Sequence, residues 1–486
     1  MKFRALLLSA VVPCLLGTGL ATSAAEQPNI VFILADDIGY GDLSCYGATK
    51  IQTPHCDKLA QEGLRFTDAH STASVCTPTR YSFMTGEYHW RKSGTGILRG
   101  IDGLIIEPGR TTVPALLKRA GYTTGVVGKW HLGLGTTPTD YNIEIKPGPL
   151  DVGFDYAWIL PATGDRVPCV WVENRRVANL DPADPIRLDY SVQRGEPRSF
   201  VKGIPRIGAQ EGGTAALWTD AEIADVIAAK GVSFIEKNAE KPFFLYLATH
   251  DIHVPRVPHE RFRDKSQAGV RGDSLVSFDW TVGQIVAVLE RLKLMDSTLL
   301  IVTSDNGGIL DTNGPDSVNS GTVETNNGHL QNGVLRGTKG TPFEGGTRVP
   351  FIARWPGRVP VGESDALICQ IDMLTSFAAL TGQPLADNDA PDSENMLPVL
   401  LGKKEGREWL VETGQALRMG QWKLIPPAGG SGANRQDRNN FTGKPMLFHL
   451  GNDLGEQNSV ADRHPEIVAK MTAELQRIRS TPKTRP

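Results

Sequence analysis

The 486-residue sequence lacks an excess of either charge, since Lys+Arg 51 against Asp+Glu 54 leaves −3. Without a basic surplus, nothing in the composition points to a nucleic-acid partner. Cysteine is scarce, six residues in all, and no two of them form a Cys-x-x-Cys pair, which removes the usual spacing of a zinc site. Beyond the N-terminus no apolar run reaches the ~20 residues that a membrane-spanning helix needs. No internal repeat is present. What remains is an ordinary globular composition, 40% hydrophobic and 22% charged, which excludes a disordered chain or a coiled coil. Gly 52 and Pro 32 predict many loops around a folded core, and a prior of roughly 150 residues per domain allows two or three units.

The N-terminus reads Met1-Lys2-Phe3-Arg4, an apolar run Ala5 to Leu20, then Ala21-Thr22-Ser23-Ala24-Ala25. These are the parts of a secretory signal peptide spanning 1–25, cleaved near Ala24 or Ala25. Pro13, Gly17 and Gly19 interrupt the run and argue against a membrane anchor. The expectation is a secreted or periplasmic protein with no membrane association after cleavage. Cys14 leaves with the signal, so Cys45, Cys56, Cys76, Cys169 and Cys369 remain. That odd set leaves at least one thiol free, and the pairing of the others is open. Asn440-Phe441-Thr442 is a glycosylation-type triplet that matters only in a eukaryotic source.

Strand-length apolar runs at Asn29–Ala35, Thr123–Val127, Phe243–Ala248, Thr298–Thr303 and Val349–Arg354 alternate with helical patterns. The latter lie at Pro54–Glu62, Val113–Ala120, Asp220–Glu236, Ser274–Leu292 and Ile371–Leu380. The third opens with a capping box, Thr219 with Glu222. This alternation predicts an α/β fold, a large, mostly parallel sheet sandwiched by helices. After about Gly382 the pattern changes to short strands (Trp409–Thr413, Trp422–Ile425, Met446–Leu450) and a closing helix from Pro465 to about Arg477. Two units are expected, 26–382 carrying the chemistry and a smaller α+β subdomain at 383–486. The Gly-, Pro- and Arg-rich stretch from Asp140 to Gly213 reads as long loops beside a site. Its basic residues, Arg166, Arg175, Arg176, Arg187, Arg194, Arg198, Lys202 and Arg206, are diluted by acids and read as ordinary solvated surface.

In an open parallel sheet, ligands bind at the carboxyl ends of the strands. Four proposed strands run there into unusual polar residues: Asp36-Asp37, Gly128-Lys129-Trp130-His131, Thr249-His250-Asp251-Ile252-His253 and Ser304-Asp305-Asn306. Asp36, Asp37, Asp305 and Asn306 offer hard oxygen ligands suited to calcium or magnesium rather than zinc. The plain alternative for Asp36-Asp37 is a turn and helix cap. Lys129 and His131, two apart in extended chain, would face one cavity and suit an anion. In Cys76-Thr77-Pro78-Thr79-Arg80, Pro78 can open a helix that Gly86 closes, which places Cys76 just before a helix N-terminus. That position favours anions, with Arg80 adding a fixed charge, and a thiolate nucleophile is the simplest chemistry there.

Cys76-Thr77-Pro78-Thr79-Arg80 resembles the Cys-x-Pro-Ser/Thr-Arg signature of the type I, formylglycine-dependent sulfatases. The resemblance extends in order through Asn29–Asp37 with Gly39-Tyr40-Gly41-Asp42, Gly128–Gly133, His253 with Val254-Pro255, and Asp305-Asn306-Gly307. It ends at Lys339-Gly340 with Phe343–Gly346 and Arg348-Val349-Pro350. It implies an alkaline-phosphatase-like fold and oxidation of Cys76 to formylglycine by a formylglycine-generating enzyme. It further implies one calcium ion, or magnesium, held by Asp36, Asp37, Asp305, Asn306 and the modified Cys76. In the implied reaction an oxygen of the hydrated aldehyde attacks sulfur with Asp305 as base. His253 protonates the leaving alcohol, and His131 takes the proton that lets sulfate depart. Arg80, Lys129 and Lys339 would hold the sulfate. His250 is expected to touch sulfate or alcohol, and His329 to read a sugar hydroxyl, against the plainer reading of a solvated loop residue.

The implied substrate is a sulfate ester. Few aromatics and a loop-built rim favour sulfated carbohydrate over steroid or aryl sulfates. Thr249–Pro258 and His329–Pro350 are similar to the same stretches of 6-O-sulfatases acting on galactose or N-acetylgalactosamine. The rival readings are phosphate or phosphonate ester hydrolysis within the same superfamily, and an inactive binder of sulfated glycans. A two-metal phosphatase would need more His and Asp ligands, and a binder has little use for a modifiable cysteine.

Overall fold

Each of the four polar-ended runs forms a strand with alternate residues packed on opposite faces of one sheet. In Asn29–Ala35, Ile30, Phe32 and Leu34 join one apolar cluster while Val31, Ile33 and Ala35 join another. A strand buried on both sides explains why the run is continuously apolar rather than alternating. The computed structural model describes residues 27–309, 326–403, 405–427 and 443–485. The expected signal segment and the Asn440 triplet lie outside the described residues.

The sheet has ten strands. Its middle is parallel, in the order Thr298–Ser304, Asn29–Ala35, Phe243–Ala248, Thr123–Lys129, Tyr156–Leu160. Phe351–Arg354 flanks it antiparallel to Thr298–Ser304, with Leu64–Phe66 beyond. Helices cover both faces. Pro54–Gln61, Ile223–Asn238 and Gly269–Arg291 pack on one, and Cys76–Thr85, Val113–Arg119 and Met373–Thr381 on the other. This is the expected α/β sandwich.

Two local expectations fail. The Thr219–Glu222 capping box does not form: a 3-10 turn, Asp220–Glu222, precedes the helix, and Thr219 makes no cap bond. Its hydroxyl accepts instead from Lys202 Nζ at 3.4 Å. The Asp140–Gly213 stretch is not only loop, since it supplies Tyr156–Leu160 and two short edge strands to the main sheet and buries Val170, Trp171 and Val172. That strand is five residues long and Pro161 follows it, too brief a pattern to stand out from loops.

The C-terminal part holds a four-stranded antiparallel sheet, Trp409–Glu412, Ala416–Met419, Trp422–Ile425 and Met446–His449. The helix Pro465–Ser480 lays Met471, Leu475 and Ile478 against it. Between the two sheets, Met396, Val399 and Leu400 belong to the core of the large sheet, so that core continues past Gly382. Among the described residues no helix is long and apolar enough to cross a membrane.

Candidate active site

The parallel register levels the strand ends. Ala35 pairs with Ser304, Leu34 with Ala248, and Ala248 with Gly128. The residues that follow therefore emerge on one rim: Asp36 and Asp37, Asp305 and Asn306, Lys129 to His131, and the His250–His253 turn. Asp37 and His131 both have positive φ, 66° and 53°. His131 thus does not continue an extended chain from Lys129, and the expected same-side pairing comes from a turn instead.

The helix Cys76–Thr85 enters from the other face, wholly buried. Cys76 is its first residue rather than the one before it, and Val75 provides no side-chain cap. The N–H groups of Cys76 and Thr77, at the positive end of the helix, therefore receive no side-chain cap from Val75. Gly86 ends the helix at φ 63°. Thr77 Oγ1 donates to His131 O at 3.0 Å, and Arg80 Nη1 donates to Lys129 O at 3.1 Å, which ties the helix to the end of the Thr123–Lys129 strand.

Around Cys76 the charges interlock. Arg80 gives Nε and Nη2 to Asp305 Oδ2 at 3.0 and 2.7 Å. Lys129 Nζ meets Asp36 Oδ2 at 2.6 Å and Asp305 Oδ2 at 3.9 Å. Lys339 Nζ reaches Asp37 Oδ1 at 2.6 Å, and Asn306 Nδ2 donates to the same oxygen at 2.8 Å. Burial pushes Asp36 up to about 7 despite Lys129, with Asp305 and Asp37 adding to the rise. Asp37 goes the other way: burial would raise it, but Lys339, His253 and Lys129 together hold it well below the carboxylate range. Asp36, Cys76 and Asp305 offer ligand atoms within 4.8 Å of one another. Asp36 Oδ1 and Asn306 Oδ1 are buried and accept no hydrogen bond among the described residues. They are oxygens of the kind a hard cation takes.

The histidines divide by role in the packing. His253 Nδ1 lies 2.7 Å from Val254 O; a carbonyl only accepts, so Nδ1 carries the hydrogen and Nε2, 3.9 Å from Asp37 Oδ2, is bare. His131 is arranged oppositely, with Nε2 on Leu98 O at 3.0 Å and a buried, unpartnered Nδ1. The His250 ring lies 6.0 Å from that of His253, tilted by 39°, and neither of its buried nitrogens is hydrogen-bonded among the described residues. Burial drives all three toward the neutral form, His250 to about 3, with Lys129 or Lys339 adding to the effect. His329 is not a solvated loop residue: it is 5% exposed, and its Nε2 is 2.8 Å from Asp42 Oδ1, a carboxylate also held by buried Arg271 at 2.6 Å.

The sequence reading missed one wall. Asp165 and Arg166 follow the strand Tyr156–Leu160, paired at 2.7 Å, with the Arg166 side chain 15% exposed. Arg166 helps to hold His131 low and itself feels Cys76. Asp165 in turn feels His253 and, under Arg166 above all, sits far below the usual carboxylate range despite its burial. Arg206, expected on the surface, is fully buried on Asp220 at 2.7 Å. The available signal was that the unnoticed strand also ends on the rim.

With this arrangement established, a family model described as Sulfatase matches residues 28–383. The chain belongs to the sulfatase family. It is 45% identical over 483 residues to an N-acetylgalactosamine-6-O-sulfatase of Bacteroides thetaiotaomicron, covering 94% of each chain. It is 33% identical to human Arylsulfatase A, covering 93% of this chain and 87% of that one. A solved Bacteroides thetaiotaomicron structure, described under the metabolism of multiple glycosaminoglycans, superposes with TM-score 0.90 at 45% identity, over 94% of this chain and 100% of that one. This sulfatase is accordingly a sulfuric ester hydrolase with the alkaline-phosphatase-like architecture. The rival phosphate-ester and binding-only readings have no comparable support.

Proposed function

We propose that this sulfatase removes sulfate from sulfated glycans, at 6-O-sulfated galactose or N-acetylgalactosamine, through a formylglycine made from Cys76 and one bound calcium ion, or magnesium in its place. The observation that carries the site is the meeting of Asp36, Cys76 and Asp305 within 4.8 Å under the Lys129, Lys339 and Arg80 cations. The glycan reading rests on likeness across nearly the whole chain to a relative named for that substrate. Asp36, Asp37, Asp305 and Asn306 would hold the ion with the residue at 76, and the orphaned Asp36 Oδ1 and Asn306 Oδ1 fit that demand. The ion supplies positive charge against the sulfate oxygens. Formylglycine supplies, through its hydrate, an oxygen nucleophile where a thiol stood.

The chain's own groups do the rest. Lys129 and Lys339 hold the sulfate and balance its charge, and Arg80, committed to Asp305, orients that carboxylate as the base for the attacking oxygen. His253 Nε2 is placed to protonate the leaving alcohol. Buried beside Lys339 it is neutral at rest, and an anionic ester beside it favours the protonated form. His131, bare at Nδ1 and kept neutral by burial, is fitted to take the proton that releases sulfate. Asp165, Arg166 and His250 line the side from which the alcohol portion enters.

The test measures sulfate release from sulfated mono- and oligosaccharides and an aryl sulfate, with protein whose Cys76 peptide mass shows formylglycine. Release from 6-O-sulfated sugars that needs calcium and falls to background in Cys76→Ala supports the reading; turnover of a phosphate diester alone in that panel sinks it. We also infer export with removal of residues 1–25, maturation by a formylglycine-generating enzyme, and a unit boundary near 382 from beyond which Met396, Val399 and Leu400 reach back into the first unit's core. The intact mass of protein recovered outside the cytoplasm checks the first, and limited proteolysis the last.

A further inference from the structure

The C-terminal sheet carries a second concavity, separate from the residues assembled around Cys76. Trp422 opens the strand Trp422–Ile425 and pairs with His449 across the antiparallel ladder. Their rings stand edge to face, 4.7 Å apart at 89°. His464, the residue before the helix Pro465–Ser480, brings a third ring within 5.3 Å of Trp422. These rings wall a cleft of about 450 Å³ that Asn452, Asn458 and Arg463 also line, within the size range of small-ligand sites.

The polar groups around the aromatic wall have spare capacity. Arg463 is exposed, and its guanidinium makes no ion pair or hydrogen bond among the described residues. His449 Nδ1 is buried without a hydrogen-bond partner. Asp453, the carboxylate in the lining, turns toward its own loop, accepting from Gln457 N at 3.0 Å and Asn458 N at 2.8 Å. Glu466 stands 3.5 Å from His464 Nδ1 and leaves the other ring nitrogen unoccupied. The cleft thus combines an aromatic wall, two amide side chains and nitrogen donors with little competing negative charge. A pyranose offers C–H faces to an aromatic ring and hydroxyls to amides, and a sulfate group offers planar acceptor pairs that suit arginine.

We propose that this cleft is a second carbohydrate-binding site, taking one sulfated sugar of a glycan chain away from the ester being cleaved. Trp422 forms its wall, Arg463 and His464 meet the sulfate, and Asn452 and Asn458 meet the hydroxyls. The proposal rests on the glycan reading above. Its consequence is avidity: a polymer gripped here is presented repeatedly to the rim at Cys76, whereas a monosaccharide gains nothing.

The experiment uses the full chain. In a Cys76→Ala background, binding of a polysaccharide containing 6-O-sulfated N-acetylgalactosamine is titrated, with its chemically desulfated form as control. Trp422→Ala, Trp422→Phe and Arg463→Ala are then compared. Expected is a loss of about five- to tenfold in affinity for the sulfated polymer in Trp422→Ala and Arg463→Ala, partial recovery in Trp422→Phe, and weaker binding of the desulfated polymer throughout. In the active background the same variants should keep kcat/KM on a 6-O-sulfated monosaccharide within twofold while KM for the polymer rises. Unchanged polymer affinity in Arg463→Ala and Trp422→Ala, with monosaccharide turnover intact, overturns this site alone. If neither sulfated sugar is bound or turned over, the glycan reading fails and the second site fails with it.

Discussion

At the scale of single residues, the site around Cys76 is a set of buried carboxylates matched by cations. Asp36, Asp37 and Asp305 each meet Lys129, Lys339 or Arg80, an arrangement that lets three acids share one pocket. Lys129→Ala or Lys339→Ala removes a charge from the position proposed to hold the sulfate. Each is expected to lower kcat/KM by about 10²- to 10³-fold, read from sulfate-release kinetics on protein with confirmed formylglycine. Arg166→Gln is expected to act differently. Its guanidinium interacts with Cys76 and His131, and from its proposed place beside the alcohol portion KM for a 6-O-sulfated sugar should rise about tenfold with a smaller change in kcat. A fall confined to kcat would remove Arg166 from the substrate wall.

At the scale of elements, the site depends on where strands stop. Gly128 sits one residue before Lys129 at φ +102°, and a Cβ there would lie 1.9 Å from Ala248 O on the neighbouring strand. Gly121 has a similar φ, +92°, with nothing within 4 Å of its Cβ position. Gly121→Ala should therefore cost only the backbone penalty, about 1–2 kcal/mol. Gly128→Ala adds the clash with a backbone carbonyl and should cost at least about 2 kcal/mol more in denaturant unfolding, with loss of activity as Lys129 is displaced. Equal costs at both positions would show that the Gly128 region yields more easily than its contacts imply. Gly307 is constrained by space alone: its Cβ would meet Gly345 O at 1.9 Å, so the Asp305-Asn306-Gly307 turn can approach the Phe343–Gly346 segment only because Gly307 has no side chain.

At the scale of the whole molecule, a buried charge network joins the large sheet to the small one. Lys423 Nζ lies 2.7 Å from Glu344 and 2.6 Å from Glu412, with Glu456 at 3.5 Å. Arg348 and Arg418 both hold Asp68 at 2.9 Å, and His70 bridges Asp68 to Glu412 at 2.8 and 3.0 Å. Four acids face three permanent cations and one histidine, so the network retains a proton. Burial, with Glu344 and Glu412, raises Glu456 to about 8 against an ordinary 4.5, and Lys423 opposes the rise. A group that binds its proton more tightly folded than unfolded stabilises the fold at low pH, and that contribution is lost as pH rises from about 4.5 toward 8. Glu456→Gln has no such proton to lose. The thermal midpoint of the unmodified protein should therefore fall relative to Glu456→Gln between pH 5 and pH 8.5, and a parallel pair of curves would refute the assignment.

The sequence by itself determined the α/β class and the polar residues that end four strands, because burial on two faces writes a continuous apolar run and a turn at its end writes a break. It also determined the helix at Cys76, which the Pro78 and Gly86 punctuation announces. Other features were decided only by tertiary structure. The strand Tyr156–Leu160, and with it the Asp165–Arg166 wall, is too short to be read without the neighbours that pair with it. The orientation of His131 is set by a positive-φ turn that no residue type advertises, and the burial of His329 by Asp42 and Arg271, far from it in the chain. The Asp68–Glu456 network is drawn from acids and bases scattered over nearly four hundred positions, each of which looks solvated alone. Local patterns record what a segment does with its own backbone, whereas the partner that satisfies a buried charge is chosen only when the sheets close.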